Sequence, residues 1–384
     1  MRFLFVIQGE GRGHQTQAIA LAQILQKEGH TIMALVGVPD GETLPTLLAQ
    51  ESCFPCQTFR SPNLVYDLKT NALSIRKTIF SNVRAFPIYL QSIRKIEETI
   101  QSFSPDTIIN FYDVLLGIHQ FIYKRKHIPF LCIGHQYLLL HEDFPHPKSK
   151  RWANFLLSTH TRLTCFRADK LLGLSLESYP QSKKIHHLVS IPPLIRAAVL
   201  QLKHTHKTPP FLLVYLTQLI DIEPIINLHL IENRFEIHLF VGKNLRDQLE
   251  KRTLPLGIHL HDIHPLHFLE KMSQCAGLIT TAGFESIAEA MYLQKPVLAI
   301  PISGHYEQMC NAIDAAQAGA GLHMKKPDLP TFLTYISTRT PPTFTYQNWV
   351  DESKEILLKA QYMLIGIKCE MLKDGKKVVA TAVF

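Results

Sequence analysis

The chain reads as an α/β protein made of two Rossmann-like, doubly wound domains that face each other across a cleft. Three observations predict this. Residues 3–36 run strand, glycine loop, helix, strand. The alternation restarts at Phe211, after a polar stretch from Gln201 to Pro210 that ends in two prolines. Near residue 280 a buried strand runs straight into another glycine turn and a helix. Strands that alternate with helices build parallel sheets, which bind ligands at the carboxyl ends of their strands. At 384 residues the chain can bury two cores, and the expected domains are 1–205 and 206–384.

In the first unit, the apolar run Phe3 to Ile7 breaks into Gln8-Gly9-Glu10-Gly11-Arg12-Gly13-His14. The helix that follows carries Ile19, Leu21, Ala22, Ile24 and Leu25 on one stripe and stops at Gly29, before a strand from Thr31 to Val36. The loop is not the dinucleotide fingerprint, because His14 stands in place of its third glycine. It offers backbone that can approach a ligand closely, together with an imidazole at the positive end of a helix. That position keeps the ring neutral, as a general base must be. A histidine that only caps the helix is the plainer alternative. Gly11, Gly13 and His14 are the candidates here.

Residues 68–104 are helical in pattern and basic, with Pro87 expected to break or kink the run. The pattern fits helices packed on the sheet, or a face laid on an anionic membrane. Pro105 to Asp113 is a strand that ends in a carboxylate, and Ile128 to Ile133 is one that ends in Gly134-His135. In a parallel sheet Asp113, His135 and His14 share one edge. Asp113 is then placed to orient His14, or to cap a helix. His135 is either a substrate contact or a structural loop residue.

In the second unit, Phe211–Leu216, Glu236–Val241 and Ile258–Leu260 are strands. His259, His261, His264 and His267 alternate with apolar residues around Pro265, without a carboxylate-rich frame. They read as a loop lining a nucleotide base rather than a zinc site. Gly277-Leu278-Ile279 then ends in Thr280-Thr281-Ala282-Gly283 and opens a helix with Ser286 and Glu289. Such a turn presents unpaired backbone N–H groups and a positive dipole end, a ready site for phosphate. Glu289, one turn along, is placed to reach a ribose. A second strand, Pro296 to Pro301, adds Glu307, Gln308 and Asn311 to the same edge. Residues 347–365 read as an amphipathic terminal helix able to pack back on the first domain, and 366–384 have no assigned role.

The net charge of +8 is lopsided: residues 1–205 carry 23 basic against 14 acidic side chains (+9), and residues 206–384 carry 17 against 18 (−1). A basic half fits an anionic partner such as a membrane surface, or is a solvated face. No recognition motif points to nucleic acid. Seven scattered cysteines, with Cys53 and Cys56 as a lone Cys-x-x-Cys, argue against a disulfide framework. No apolar run approaches a membrane span and no signal-peptide cleavage pattern follows Met1, so the expected location is cytoplasmic.

The glycine loop ending in His14, the distant Gly283-Phe284-Glu285-Ser286-Ile287-Ala288-Glu289 and the later Glu307-Gln308-x-x-Asn311-Ala312 together resemble GT-B glycosyltransferases that use nucleotide-activated sugars. The resemblance is nearest to the family 28 type, which includes the N-acetylglucosaminyl transferase of peptidoglycan synthesis, and it covers the chain to about residue 365. It implies that Glu289 holds the ribose hydroxyls and that Ala282, Gly283 and Ser286 form the diphosphate turn. Glu307 and Gln308 would contact the donor sugar, with Asn311 following. Gly11, Gly13 and His14 would form the acceptor-side loop, with Asp113 as the partner of His14. Thr281 stands where many relatives carry His or Arg, and Tyr215-Leu216-Thr217-Gln218 replaces a Gly-Ser-rich turn.

The implied reaction is inverting transfer from a nucleotide-diphosphate sugar, with UDP-sugar the expected donor, to a hydroxyl acceptor that the sequence does not name; the basic first half fits one that is lipid-linked or at a membrane surface. His14 takes the hydroxyl proton, and helix N–H groups with Thr280 or Ser286 stabilise the leaving diphosphate. No metal or other cofactor is expected. The rivals are a nucleotide-sugar 2-epimerase of the same architecture and a non-catalytic nucleotide-sugar-binding protein.

Overall fold

The structure, a computed structural model, describes residues 1–63, 75–123, 128–147, 150–202, 209–230, 234–339 and 345–352. The expected domain boundary, most of the expected terminal helix and the tail lie outside these residues.

The first sheet has seven strands: β1 (Arg2–Gln8), β2 (Thr31–Val38), β3 (Cys56–Arg60), β4 (Thr107–Phe111), β5 (Phe130–Ile133), β6 (Lys170–Leu174) and β7 (Leu188–Ile191). Its helices are α1 (Gly13–Lys27), α2 (Thr46–Glu51), α3 (Ile75–Arg84), α4 (Phe86–Phe103), α5 (Val114–Tyr123), α6 (Arg151–Thr164) and α7 (Ala197–Leu200). The second sheet has six strands: β8 (Phe211–Tyr215), β9 (Glu236–Val241), β10 (Ile258–Asp262), β11 (Gly277–Thr280), β12 (Val297–Ala299) and β13 (Gly321–His323). With it go α8 (Leu219–His229), α9 (Lys243–Leu249), α10 (Pro265–Gln274), α11 (Phe284–Tyr292), α12 (Tyr306–Gln317), α13 (Leu329–Thr338) and α14 (Thr345–Asp351).

The sheet orders are β3-β2-β1-β4-β5-β6-β7 and β10-β9-β8-β11-β12-β13. Paired strands are parallel in both, from β1 with β2 and β4 in the first to β8 with β9 and β11 in the second. Each sheet therefore reverses its winding once, between β1 and β4 and between β8 and β11. Those reversals open the crevices where such sheets take ligands.

Local chemistry sets the boundaries. The central strands are apolar on both faces because helices cover both, so Phe3 to Ile7 are all buried. Helix α1 ends where Gly29 turns to φ 80°, its N–H bonding the Gln26 carbonyl while His30 reaches back to Leu25. The basic run divides before Pro87, which sits in the first turn of α4, where its missing N–H costs nothing. Among the described residues no helix is long and apolar enough to cross a membrane.

The described part of the terminal segment touches both halves. The Tyr346 hydroxyl donates to the Ala288 carbonyl, while the Trp349 indole N–H donates to the carbonyl of Ser175, just after β6 of the first sheet, at 3.1 Å.

Candidate active site

A cavity of about 940 Å³ lies between the carboxyl ends of the two sheets. From the first half it is walled by the β1 loop and by Tyr112 after β4. From the second half come Tyr215 at the end of β8, Thr217 just after it, and the turn after β11. Both winding reversals thus open into one space.

On the first side, the glycine loop is held down by Gln15, whose amide donates to the carbonyls of Gly9 (2.9 Å) and Gly11 (2.6 Å). Gly9 must be glycine, since a Cβ there would lie 2.6 Å from the Gly37 carbonyl oxygen. Gly11 turns at φ 80°, with open space where a Cβ would stand. His14 is buried in the cavity wall and stacks on Tyr112 with ring centres 5.3 Å apart. Burial lowers its pKa from 6.5 to about 4, against the opposing pull of the Gln17 side chain. At neutral pH the imidazole is therefore an uncharged proton acceptor. Tyr112 itself sits at φ 67°, a left-handed conformation that a bulky residue adopts only under constraint.

The second side repeats this device. Ala282, at φ 61°, turns the chain from β11 into α11, and the Asn311 side chain pins its carbonyl at 3.2 Å. Gly283 caps the helix, with nothing within 4 Å of where a Cβ would be. The first amides of α11 therefore open onto the cavity beside Thr281 and Ser286. At α12, His305 caps the helix by accepting from the Gln308 amide, and the Gln308 side-chain oxygen accepts from the Ile302 N–H at 2.9 Å.

Polar contacts tie the halves together across the cavity. Gln136 donates to Glu307 at 2.9 Å, and the same nitrogen lies 3.4 Å from His14 Nε2. Gln17 donates to Glu285 at 2.6 Å. Arg196 grips Glu289 with two bonds, Nε to Oε1 at 2.7 Å and Nη2 to Oε2 at 3.0 Å. Burial raises the Glu285 pKa from 4.5 to about 8, so this carboxyl is largely protonated at neutral pH.

Residues 1–337 match the family described as glycosyl transferase family 1. The chain belongs to that family. This glycosyltransferase is similar in structure to spinosyn rhamnosyltransferase SpnG complexed with thymidine diphosphate, at TM-score 0.59 and 16% identity over 94% of this chain and 100% of that one. The calicheamicin glycosyltransferase CalG4 aligns at TM-score 0.59 and 13% identity, over 95% and 98% of the two chains. UGT89C1 of Arabidopsis thaliana, complexed with UDP-L-rhamnose, aligns at 0.60 and 13%, over 94% and 95%. At such identities the likeness is one of fold, the GT-B arrangement of two facing parallel-sheet domains. A comparison with curated proteins finds no match.

In the glycosyltransferase, Gly11, Gly13, His14, Thr281, Gly283, Ser286, Glu289, Glu307, Gln308 and Asn311 all line the cavity. Four expectations need correction. Asp113 does not partner His14: its oxygens accept from Ser61 Oγ (2.7 Å) and from the amides of Leu115 and Leu116, which makes it the cap of α5. Gly37 is small to admit it, since a Cβ there would sit 2.4 Å from Asp113 Oδ2. His135 is off the cavity wall and stacks on Phe284, ring centres 4.0 Å apart, as an inter-domain contact. Thr280 is buried beneath the turn, away from the cavity. The histidines at 259, 261, 264 and 267 do not line it either, and that wall is Phe240, Ile263, Pro265 and Phe268 instead.

Sequence reading missed Arg196, Gln136 and Tyr112 in the glycosyltransferase. A cation closing the apolar run Ile191-Pro192-Pro193-Leu194-Ile195 was a usable signal, because a charge in such company needs a buried partner. Gln136 and Tyr112 carry no such mark.

Proposed function

We propose that the protein transfers a sugar from a nucleotide-diphosphate donor, with inversion, to a hydroxyl on an apolar acceptor. The observation that carries this reading is Gln136, whose amide nitrogen touches both Glu307 on the donor side and His14 Nε2 on the acceptor side. An acceptor oxygen that replaces Gln136 at His14 would stand next to the group expected to hold the donor sugar.

On this reading the amides opening α11, with Thr281 and Ser286, take the diphosphate, and the leaving charge is stabilised by preorganised N–H dipoles. Glu289 takes the ribose. Asn311 holds the turn rather than the ligand, and Gln308 fixes the loop from which Glu307 projects. His14 removes the hydroxyl proton as the acceptor attacks the anomeric carbon, and no step calls on a metal. Residues 1–205 form the acceptor domain and residues 206–384 the donor domain. The donor nucleotide is a uridine or thymidine diphosphate, the two carried by the similar structures. Kinship with the family 28 type is part of this proposal and rests on the Gly283–Glu289 and Glu307–Ala312 segments.

The acceptor-side wall is Val83, Phe86, Tyr89, Ile93, Leu115 and Ile118, which suits an apolar molecule bearing one reactive hydroxyl. Val83 and Phe86 are also exposed on the outside, as are Phe121, Trp152, Phe155 and Phe166 on α5, α6 and the turn after α6. Exposed Arg84, Arg151, Arg162 and Arg167 lie among them in the chain. Aromatic and basic side chains mixed in this way fit the inner face of an anionic membrane. Vesicles containing anionic lipid should retain the protein at low salt and release it at high salt, and Trp152→Ala with Phe155→Ala should weaken retention. Equal binding to neutral vesicles, or none to either, removes the membrane from the proposal.

The donor is tested by thermal unfolding with UDP, TDP and their sugars, since a ligand of the folded state raises Tm by mass action. A rise with one nucleotide series identifies the donor, and no response to any of them defeats the reading. Epimer formed from UDP-N-acetylglucosamine without an acceptor would favour the epimerase instead.

A further inference from the structure

The outer edge of the second sheet holds a side-chain cluster that the transfer site does not use. Strand β10 is outermost there and pairs with β9 so that His259 lies beside His238. Glu236 precedes His238 by two residues, so the alternation of side chains along a strand puts both on one face. Glu236 Oε2 lies 3.6 Å from His238 Nε2 and 3.7 Å from His259 Nε2. The three ligand atoms all fall within 4.8 Å of one another. Ligands about 2.0–2.1 Å from a tetrahedral zinc ion stand roughly 3.4 Å apart, so a small contraction of this cluster would enclose one. His261, two residues further along β10, sits with its Nε2 2.9 Å from His238 Nδ1. A proton on Nδ1 donated to His261 would direct the Nε2 lone pair toward the metal, the outer support that metal-binding histidines usually have.

We propose that Glu236, His238 and His259 form a binding site for a divalent transition metal of the zinc class, with His261 orienting His238. Two imidazoles and a carboxylate suit zinc, nickel or copper better than magnesium or calcium, which favour all-oxygen shells. Three protein ligands leave a position for water. The site stands apart from the chemistry: none of its ligands lines the cavity, which β9 and β10 reach only through Phe240 and the residues after Asp262. A metal here clips the exposed edge strand β10 to β9 and stiffens that side of the sheet.

The test uses the full, untagged chain, with zinc chloride titrated against a chromophoric chelator and Tm followed with and without the metal. The wild-type chain should compete for zinc with a stoichiometry of one and unfold at a higher temperature when loaded. His259→Ala, at a half-exposed position, and Glu236→Gln should each weaken zinc by at least about tenfold, the scale on which even supporting residues of such sites act. His186→Ala, on an exposed turn of the other half, should bind as the wild type does. Magnesium chloride and calcium chloride should leave Tm unchanged. Zinc affinity that is equal in His259→Ala, Glu236→Gln and wild type, or a chain that takes no zinc from the chelator, overturns the proposal.

Discussion

A His14→Ala enzyme keeps its affinity for the donor nucleotide and loses about 10²–10⁴-fold in kcat, the usual contribution of a positioned general base. The two effects separate because His14 stands on the first-half wall of the cavity, proposed to face the acceptor, while the proposed diphosphate site is at α11. The wild-type pH profile makes a second check. With the His14 pKa lowered to about 4 by burial, the acid limb of kcat/KM should fall near pH 4 rather than near 6.5. Stability carries the same signature. The folded pKa lies below the unfolded value, so the contribution of His14 is complete above pH 6.5 and is lost as pH falls toward 4. Glu285 acts in the opposite sense, with stability lost as pH rises from 4.5 toward 8. Full activity in His14→Ala, or an acid limb that stays at 6.5, would remove His14 from the role of base.

Glu289→Ala should be the most damaging change for both binding and stability. It removes the proposed ribose ligand and strands the Arg196 guanidinium, leaving a buried cation without its carboxylate, at a cost of about 3–5 kcal/mol. Glu51, 4.0 Å from Arg196 Nη1, is too far away to replace the two short bonds. Glu289→Gln, which keeps the shape and one acceptor, should recover part of the Tm but not the nucleotide affinity. Calorimetry and thermal unfolding on both variants separate the roles. Equal nucleotide affinity in all three proteins would show that Glu289 serves only Arg196.

The doubly wound architecture followed from apolar runs such as Phe3–Ile7 and Gly277–Ile279, because a strand covered on both faces has little room for polar residues. The glycine turns followed too, since Gly11 and Gly283 stand where backbone must bend or lie open. What stayed hidden depends on partners distant in the chain. Asp113 after a strand is compatible with a His partner or a helix cap, and only the positions of Ser61 and Gly37 decide for the cap. Glu289 invited a ribose, and nothing near it in sequence announced an arginine 93 residues away. Tyr112 and Ala282 take left-handed backbone angles without being glycine, so composition gave no sign of either strained turn.

The bonds that cross the cavity also govern how tightly any ligand is seen to bind. Separating the two halves breaks the Arg196–Glu289 pair, the Gln17–Glu285 and Gln136–Glu307 bonds and the ring stack of His135 on Phe284. A ligand that enters only the separated form has an observed Kd equal to its intrinsic Kd divided by the fraction of molecules already apart. Weakening a bridge from the side that lies off the cavity lining, such as the His135 side of its stack on Phe284, would then tighten donor binding without adding a single contact to the donor.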